Sequence, residues 1–167
     1  MTISMYAITV PVFTRYLKNL DALLDKAIAY EAEKKLKPEV LAASRLFPDM
    51  LPLSFQVQST ADRVKFTLAR LTGKTPPAWD DTEKTLPELK ERIKKALDYA
   101  ETFTEAELDG TETKTLELTY RGNTHTVNAL EHVTLNAVPQ VFFHVTTAYN
   151  ILRENGVVIG KRDFTGL

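Results

Sequence analysis

The chain has 167 residues, 44% of them hydrophobic, with a formal net charge of -1 and no cysteine. This near-neutral balance argues against nucleic acid and anionic membranes as partners, since both attract strongly basic proteins. The absence of thiols excludes disulfide bonds, thiolate metal sites and a cysteine nucleophile. We expect a single domain over residues 1–167, because this length supports one hydrophobic core.

The N-terminal segment, residues 1–13, is apolar, but it lacks a basic start and a small-residue cleavage site, and Pro11 interrupts it. A signal peptide is therefore not predicted. Since no run approaches the roughly 18 consecutive apolar residues of a membrane span, we expect a cytoplasmic protein.

Two long amphipathic helices are predicted in the first half of the chain, because apolar residues recur there every three or four positions. The first covers residues 6–35 and either begins or kinks near Pro11. Its predicted core residues are Phe13, Tyr16, Leu17, Leu20, Leu23, Leu24, Ala27 and Tyr30. The second runs from about residue 52 to residue 71 and ends at Gly73. Its predicted core residues are Val57, Ala61, Val64, Leu68 and Leu71.

A third long helix follows a loop at residues 74–85, which Trp79 is expected to anchor to the bundle. Thr85 and Glu88 have the spacing of a capping box, so the helix begins there. Its predicted core residues are Leu89, Ile93, Ala96, Leu97, Ala100 and Phe103. Its predicted solvent-exposed residues are Lys90, Glu91, Arg92, Lys94 and Lys95.

A small β-hairpin is predicted next, because residues 116–120 and 124–127 alternate in polarity around the turn sequence at 121–123. A last long helix covers residues 129–155 and is kinked or interrupted at Pro139. The apolar tail that follows is expected to fold back onto the bundle. The predicted fold is therefore all-α, a four-helix bundle with a β-hairpin before the last helix.

The last helix carries an apolar stripe and, beside it, a polar ridge. The stripe consists of Val138, Val141, Phe142, Val145, Tyr149 and Leu152. The ridge consists of His132, Asn136, Gln140 and His144, which follow one another at intervals of four. Twelve residues of helix place the two histidines about 18 Å apart, so they cannot share a metal ion.

The candidate catalytic and ligand-binding residues lie on the second and last long helices. His144 oriented by Asp62 is the candidate catalytic pair, because one histidine held by one carboxylate suffices for proton transfer. Gln58, His144 and Tyr149 are the candidate ligand-binding residues. No cofactor and no metal site are predicted, although a divalent ion held by His144, Asp62 and Gln58 is a geometric alternative.

The competing interpretation of the same residues is structural. Asp62 would then pair with Lys65 or Arg63 at the bundle surface, and His144 would pack against aliphatic neighbours. No G-x-S-x-G elbow supports a serine nucleophile, and the six glycines form no phosphate-binding loop.

Several segments together resemble the family called domain of unknown function 1993. Residues 143–149, 151–156 and 160–164 are similar to its C-terminal signature. Upstream, the similar segments are Val10-Pro11-Val12-Phe13 and Leu17-Lys18-Asn19-Leu20 in its opening helix, and Pro48-Asp49-Met50, Pro52-Leu53, Gln56-Val57-Gln58, Asp62 and Lys65 in its second long helix.

This resemblance implies a DinB-like, or YfiT-like, four-helix bundle, often dimeric, with a cavity between the second and last long helices. Metal-dependent members of that group, including bacillithiol and mycothiol transferases, use one histidine from the second long helix and an H-x-x-x-H pair from the last. In this chain His144 occupies the first histidine position of that pair, and Ala148 occupies the second. Gln56 or Gln58 stands where the second-helix histidine is expected.

Three hypotheses about function follow. The first is a small-molecule-binding DinB-like bundle, with or without enzymatic activity, whose pocket contains Gln58, Asp62, His144 and Tyr149. The second is a non-catalytic structural or interaction protein, a homodimer that buries exposed aromatic residues such as Tyr16 and Tyr30. The third is a divergent metal-dependent transferase or hydrolase.

Overall fold

The computed structural model describes residues 4–120 and 122–167. In chain order its elements are α1 (Val10–Lys34), α2 (Val40–Ala43), α3 (Leu53–Thr72), α4 (Leu86–Ala100), α5 (Glu105–Leu108), β1 (Thr115–Tyr120), β2 (Asn123–Asn128), α6 (Ala129–His132), α7 (Val138–Glu154) and α8 (Lys161–Thr165). A π-helical turn, Val133–Ala137, joins α6 to α7. Over these described ranges, no helix has both the length and the apolarity that crossing a bilayer requires.

The four long helices form a closed ring. Helix α1 packs against α4 and α7, and α3 packs against the same two helices. The pairs α1 with α3 and α4 with α7 therefore face each other across the diagonals of the bundle. This arrangement, with β1 and β2 placed before the last long helix, confirms the predicted all-α bundle with its hairpin.

The core residues predicted from periodicity are largely confirmed. All five predicted core residues of α3 are fully buried, as are Phe13, Leu17 and Leu20 of α1. Helix α1 begins at Val10 with proline in its first turn, the first of the two arrangements allowed by the sequence. Helix α4 begins with the predicted capping box, in which the backbone N–H of Thr85 donates to the Glu88 carboxylate at 2.9 Å.

The interruption predicted near Pro139 is the π-helical turn. The N–H of Val138 donates to the carbonyl of Val133, five residues back instead of four. Proline has no N–H to donate, and its ring crowds the carbonyl four residues earlier. The wider π turn directly before α7 accommodates both effects, so the helical path continues from α6 into α7.

The C-terminal tail folds back onto α1, as predicted. The guanidinium of Arg15 donates to the carbonyl of Thr165 at 2.9 Å, and the amide of Asn19 donates to the carbonyl of Phe164 at 2.9 Å. The ring of Tyr16 lies 5.5 Å from that of Phe164 and 4.6 Å from that of Phe142. Contacts within the chain thus already cover part of Tyr16, which weakens the reason given for a dimer through this residue. The homodimer itself stays a prediction.

One prediction about α4 is wrong. Arg92 was expected on the solvent-exposed side, but its side chain is only 1% exposed. The loop at residues 73–85 folds over α4 and brings Asp81 and Glu83 to the guanidinium, at 2.8 Å and 3.2 Å, while Asp62 of α3 lies 3.0 Å from it. Periodicity along α4 gave no indication of this loop packing. Glu91, Lys94 and Lys95 are exposed, as predicted.

Trp79 anchors the loop, as predicted. Its ring lies 5.2 Å from the Arg92 guanidinium carbon and 4.4 Å from the Lys65 amine, both within the range of cation–π attraction. Lys65 is itself 3% exposed and pairs with Asp62 at 2.8 Å. We call Asp62, Lys65, Asp81, Glu83 and Arg92 the charge cluster.

Replacing Arg92 by alanine should lower the free energy of unfolding by about 3 kcal/mol, because the carboxylates around it would lose their buried counter-charge. Urea unfolding followed by far-UV circular dichroism measures this change. The matched control is Lys18→Ala, which removes an ion pair whose side chains are 62% and 54% exposed. The control should cost less than about 1 kcal/mol. Equal losses in the two variants would contradict a stabilising role for the cluster.

Candidate functional site

Polar side chains form two facing rows where α3 packs against the last helix. Gln56, Arg63 and Arg70 recur every seven residues, or two turns, and therefore share one side of α3. The facing row is the predicted ridge of the last helix. We call the two rows together the polar seam, which consists of Gln56, Arg63, Arg70, His132, Asn136, Gln140 and His144.

At one end of the polar seam, His144 and Gln56 form a hydrogen bond of 2.9 Å between Nδ1 and Oε1. The amide nitrogen of Gln56 donates to the carbonyl of Leu51 at 3.0 Å, which turns its oxygen toward the histidine. An amide oxygen only accepts, so Nδ1 of His144 must carry the proton. Nε2 of His144 is then left with a free lone pair.

The surroundings of His144 favour its neutral form. The ring meets Phe143 at 5.4 Å and Phe55 at 6.1 Å, each edge to face. Burial and, to a lesser extent, the positive charge of Arg63 lower the pKa of His144 from 6.5 to about 4. At neutral pH this side chain is therefore an uncharged proton acceptor in a fixed orientation.

At the other end of the polar seam lies a cavity of about 360 Å³, which we call the seam pocket. Three elements contribute to its wall, namely α3, β1 and the last helix. The lining residues are Arg63, Arg70, Leu118, Thr119, His132, Asn136 and Gln140. Gln140 donates to the side-chain oxygen of Asn136 at 2.7 Å, and Asn136 belongs to the π-helical turn. Such turns often occur at functional sites.

His132 lines the seam pocket, and its ring makes no hydrogen bond within the described residues. The residue is 5% exposed, and within the described residues both of its ring nitrogens are buried without a hydrogen-bond partner. Burial, followed by the charges of Arg70 and Arg63, lowers the pKa of His132. Leaving a buried polar group unpaired costs about 1–3 kcal/mol, so such groups in a native fold call for an explanation.

The two arginines of the seam pocket have no acidic partner within the described part of the chain: every ion pair found there involves other residues. Partial burial and the neighbouring charge of Arg63 lower the pKa of Arg70. The Arg63 charge also acts on both His132 and His144. The seam pocket therefore concentrates positive charge in a chain whose net charge is close to zero.

Gln58 and Asp62, two of the predicted site residues, belong to the other side of α3. The amide of Gln58 donates to Glu83 at 2.9 Å, and Asp62 accepts from Arg92 and Lys65 in the charge cluster. Gln56 and Asp62 are six residues apart, which separates them by about 120° around the helix. The group that orients His144 is therefore Gln56 rather than Asp62. The catalytic roles of His144 and Asp62 stay predictions.

Tyr149, the remaining predicted ligand-binding residue, lies beside the C-terminal tail. Its ring is 6.1 Å from that of Phe164, edge to face. It lines a separate, shallow cavity of about 160 Å³ with Thr146, Asn150, Lys161 and Phe164. The residues predicted to share one pocket thus lie in three places, with Gln58 and Asp62 in one, His144 in the second and Tyr149 in the third.

The donor groups of the polar seam do not fit a metal ion. In residues 4–120 and 122–167, no group of three or more histidine, aspartate or glutamate side chains is arranged to hold one. His144 has an amide as its neighbour, and the guanidinium charges beside His132 would repel a cation. A divalent ion needs roughly three protein ligands, mostly imidazole, carboxylate or thiolate.

Sequence reasoning missed Arg63 and Arg70 as site residues, and it named Gln56 only as an alternative to Gln58 at the position of the second-helix histidine. A signal was present in the seven-residue spacing of Gln56 and the two arginines, with the buried threonines Thr60 and Thr67 between them on the same stripe. This stripe faces the ridge of the last helix, whereas the row that includes Gln58 and Asp62 faces α4.

The pKa of His144 can be measured by NMR, and its imidazole signals should titrate near pH 4 instead of near the value of about 6.5 for an exposed histidine. The nitrogen shifts should identify a protonated Nδ1. The matched variant is Gln56→Glu, which puts a carboxylate beside Nδ1 and should raise the pKa by about 1–3 units. A wild-type pKa near 6.5, or no response to Gln56→Glu, would contradict the hydrogen bond.

Comparison with known proteins agrees with the fold. The family model described as a domain of unknown function (DUF1993) matches residues 5–165. The crystal structure of a DinB family member protein from Shewanella denitrificans is 43% identical in sequence, with a TM-score of 0.91, and the match covers 97% of this chain and 92% of that chain. No curated protein matches significantly. The predicted resemblance is thereby confirmed, and the chain belongs to the DUF1993 family and has a DinB-like fold.

Proposed function

We propose that this protein binds a small molecule in the seam pocket. The observation that carries the proposal is the convergence of polar side chains on this pocket from α3, β1 and the last helix. Two of them, Arg63 and Arg70, form no ion pair within the described residues. A concave site with a few convergent polar groups is typical of a ligand pocket.

The size and composition of the seam pocket support a ligand of metabolite size. Its volume of about 360 Å³ lies near the lower end of the roughly 300–1,000 Å³ typical of ligand sites. The wall combines an apolar side chain, Leu118, with hydroxyl, amide, imidazole and guanidinium groups from three different elements. Convergent polar groups of this kind fix the orientation of a ligand.

Enzymatic activity is the finer part of this proposal. Burial and the charge of Arg63 lower the pKa of His144 to about 4, so this side chain is uncharged at neutral pH and able to accept a proton. In His144 the acceptor is Nε2, since Gln56 holds Nδ1. A substrate bound along the polar seam would meet a general base with a fixed tautomer.

A thermal-shift screen of a metabolite library tests the binding proposal. A ligand present at 100 times its Kd should add about 2.7 kcal/mol of stability, which raises the Tm of a protein of this size by roughly 5–10 °C. His132→Gln should reduce the shift, because it alters the wall of the seam pocket. His125→Gln is the matched control, because that histidine is exposed on β2. Identical ligand profiles for wild type and His132→Gln would reject the seam pocket. His144→Ala reports separately whether the other end of the seam takes part.

Self-association is a second candidate, favoured by exposed apolar side chains around His144. Phe143 is 58% exposed, Leu51 47% and Phe55 36%. Contiguous apolar surface often marks a protein interface. The chain would then act as a homodimer with an interaction role.

Sedimentation at micromolar concentrations tests this candidate. Wild type should sediment as a dimer, and Phe143→Ser should shift it toward the monomer because the interface would lose its most exposed ring. Val158→Ser is the control, because Val158 is 83% exposed but lies in the segment after α7. A monomeric wild type would end the case for a dimer.

A further inference from the structure

We propose that the ligand of the seam pocket is a small anion, held through a carboxylate or phosphate group by Arg63 and Arg70. This inference rests on the proposed binding function and adds the chemical class of the ligand. It begins from the two arginines that line the pocket together.

The rest of the described chain neutralises its buried cations internally. The Arg92 guanidinium has three carboxylates within 3.2 Å, and the buried Lys65 amine has Asp62 at 2.8 Å. Arg63, which is half-buried, and Arg70, which is exposed, make no ion pair within residues 4–120 and 122–167. The seam pocket is thus lined by two cations that no carboxylate of the described residues neutralises.

No wall of the seam pocket supplies the missing negative charge. The hairpin contributes Leu118 and Thr119, which are uncharged, and the last helix contributes one imidazole and two amides. The two guanidiniums are close enough for Arg63 to lower the pKa of Arg70. Their mutual repulsion is a cost that an anion between them would remove, and a neutral ligand would leave it in place.

Arginine also has the geometry for this class of ligand. The planar guanidinium presents a fork of N–H donors that matches two oxygens of a carboxylate or phosphate. Arg63 and Arg70 are two turns apart on α3, about 10 Å along the axis, and their long side chains can approach one anionic group from two directions. The Thr119 hydroxyl and the amides of Asn136 and Gln140 are then available for the uncharged part of the ligand.

The experiment follows the imidazole C–H signals of His132 by NMR during titrations at constant ionic strength. The probes are inorganic phosphate, succinate and the uncharged analogue succinamide. Phosphate, succinate or both should shift the His132 signals saturably, and the active probe identifies the preferred anionic group. Succinamide should leave the signals unchanged at the same concentration.

Arginine variants complete the test. Arg63→Gln and Arg70→Gln should each raise the Kd for the active anion about tenfold or more, because each removes a charge-assisted contact. Arg15→Gln is the matched control, since Arg15 lies on α1 and donates to the carbonyl of Thr165 in the C-terminal tail. It should leave the Kd unchanged. Unfolding curves of all three variants verify that they are folded.

The results separate this inference from the binding function on which it rests. If succinamide binds as tightly as succinate, the pocket takes small molecules but the anion inference is wrong. Unchanged anion affinity in both Arg63→Gln and Arg70→Gln also overturns it. If neither anion shifts His132 at millimolar concentrations, the anion inference fails, while the metabolite screen with His132→Gln decides independently whether the pocket binds any ligand.

Discussion

The burial of the Arg92 guanidinium among carboxylates is the interaction on which the arrangement of the site depends. It joins Asp62 on α3 to Asp81 and Glu83 in the loop before α4, and so ties the loop and both helices together. A buried cation tolerates little displacement, because losing one carboxylate leaves charge uncompensated. The side of α3 that includes Asp62 therefore packs against α4. The opposite side, with Gln56, Arg63 and Arg70, is left to meet the last helix.

The polar seam shows which side chains meet where the second and last long helices pack together. The resemblance to the DinB-like group implies histidines on the second and last long helices, close enough to share an ion. In this chain the facing residues are an amide and an imidazole, and they hydrogen bond directly to each other at 2.9 Å. Gln56 therefore gives His144 one tautomer, and burial keeps the ring neutral. The shared fold preserves the place where the helices meet, whereas the side chains there determine its chemistry.

Charge in this protein is balanced globally and unbalanced locally. The net charge of -1 gives no long-range field, and the charge cluster pairs its cations internally. The residues that line the seam pocket, in contrast, combine two guanidiniums with a buried, neutral histidine. This combination is the basis of the anion inference, since a carboxylate or phosphate bound there would neutralise the guanidinium charges. Average composition gives no information about it, because the compensating carboxylates lie elsewhere on the surface.

Periodicity alone determined the long helices, their buried faces, the hairpin and the α4 cap, because these depend on spacing along one element. The family resemblance supplied the bundle type and the helix pair that lines the cavity. The candidate site was only partly predictable. The sequence identified His144 and the ridge that includes His132, but it chose Asp62 and Gln58 from the wrong side of α3 as their partners. Which side of α3 meets the last helix depends on how the long helices and the loop before α4 pack against one another. That packing joins distant segments, so only the tertiary structure decided that Gln56, Arg63 and Arg70 complete the candidate site.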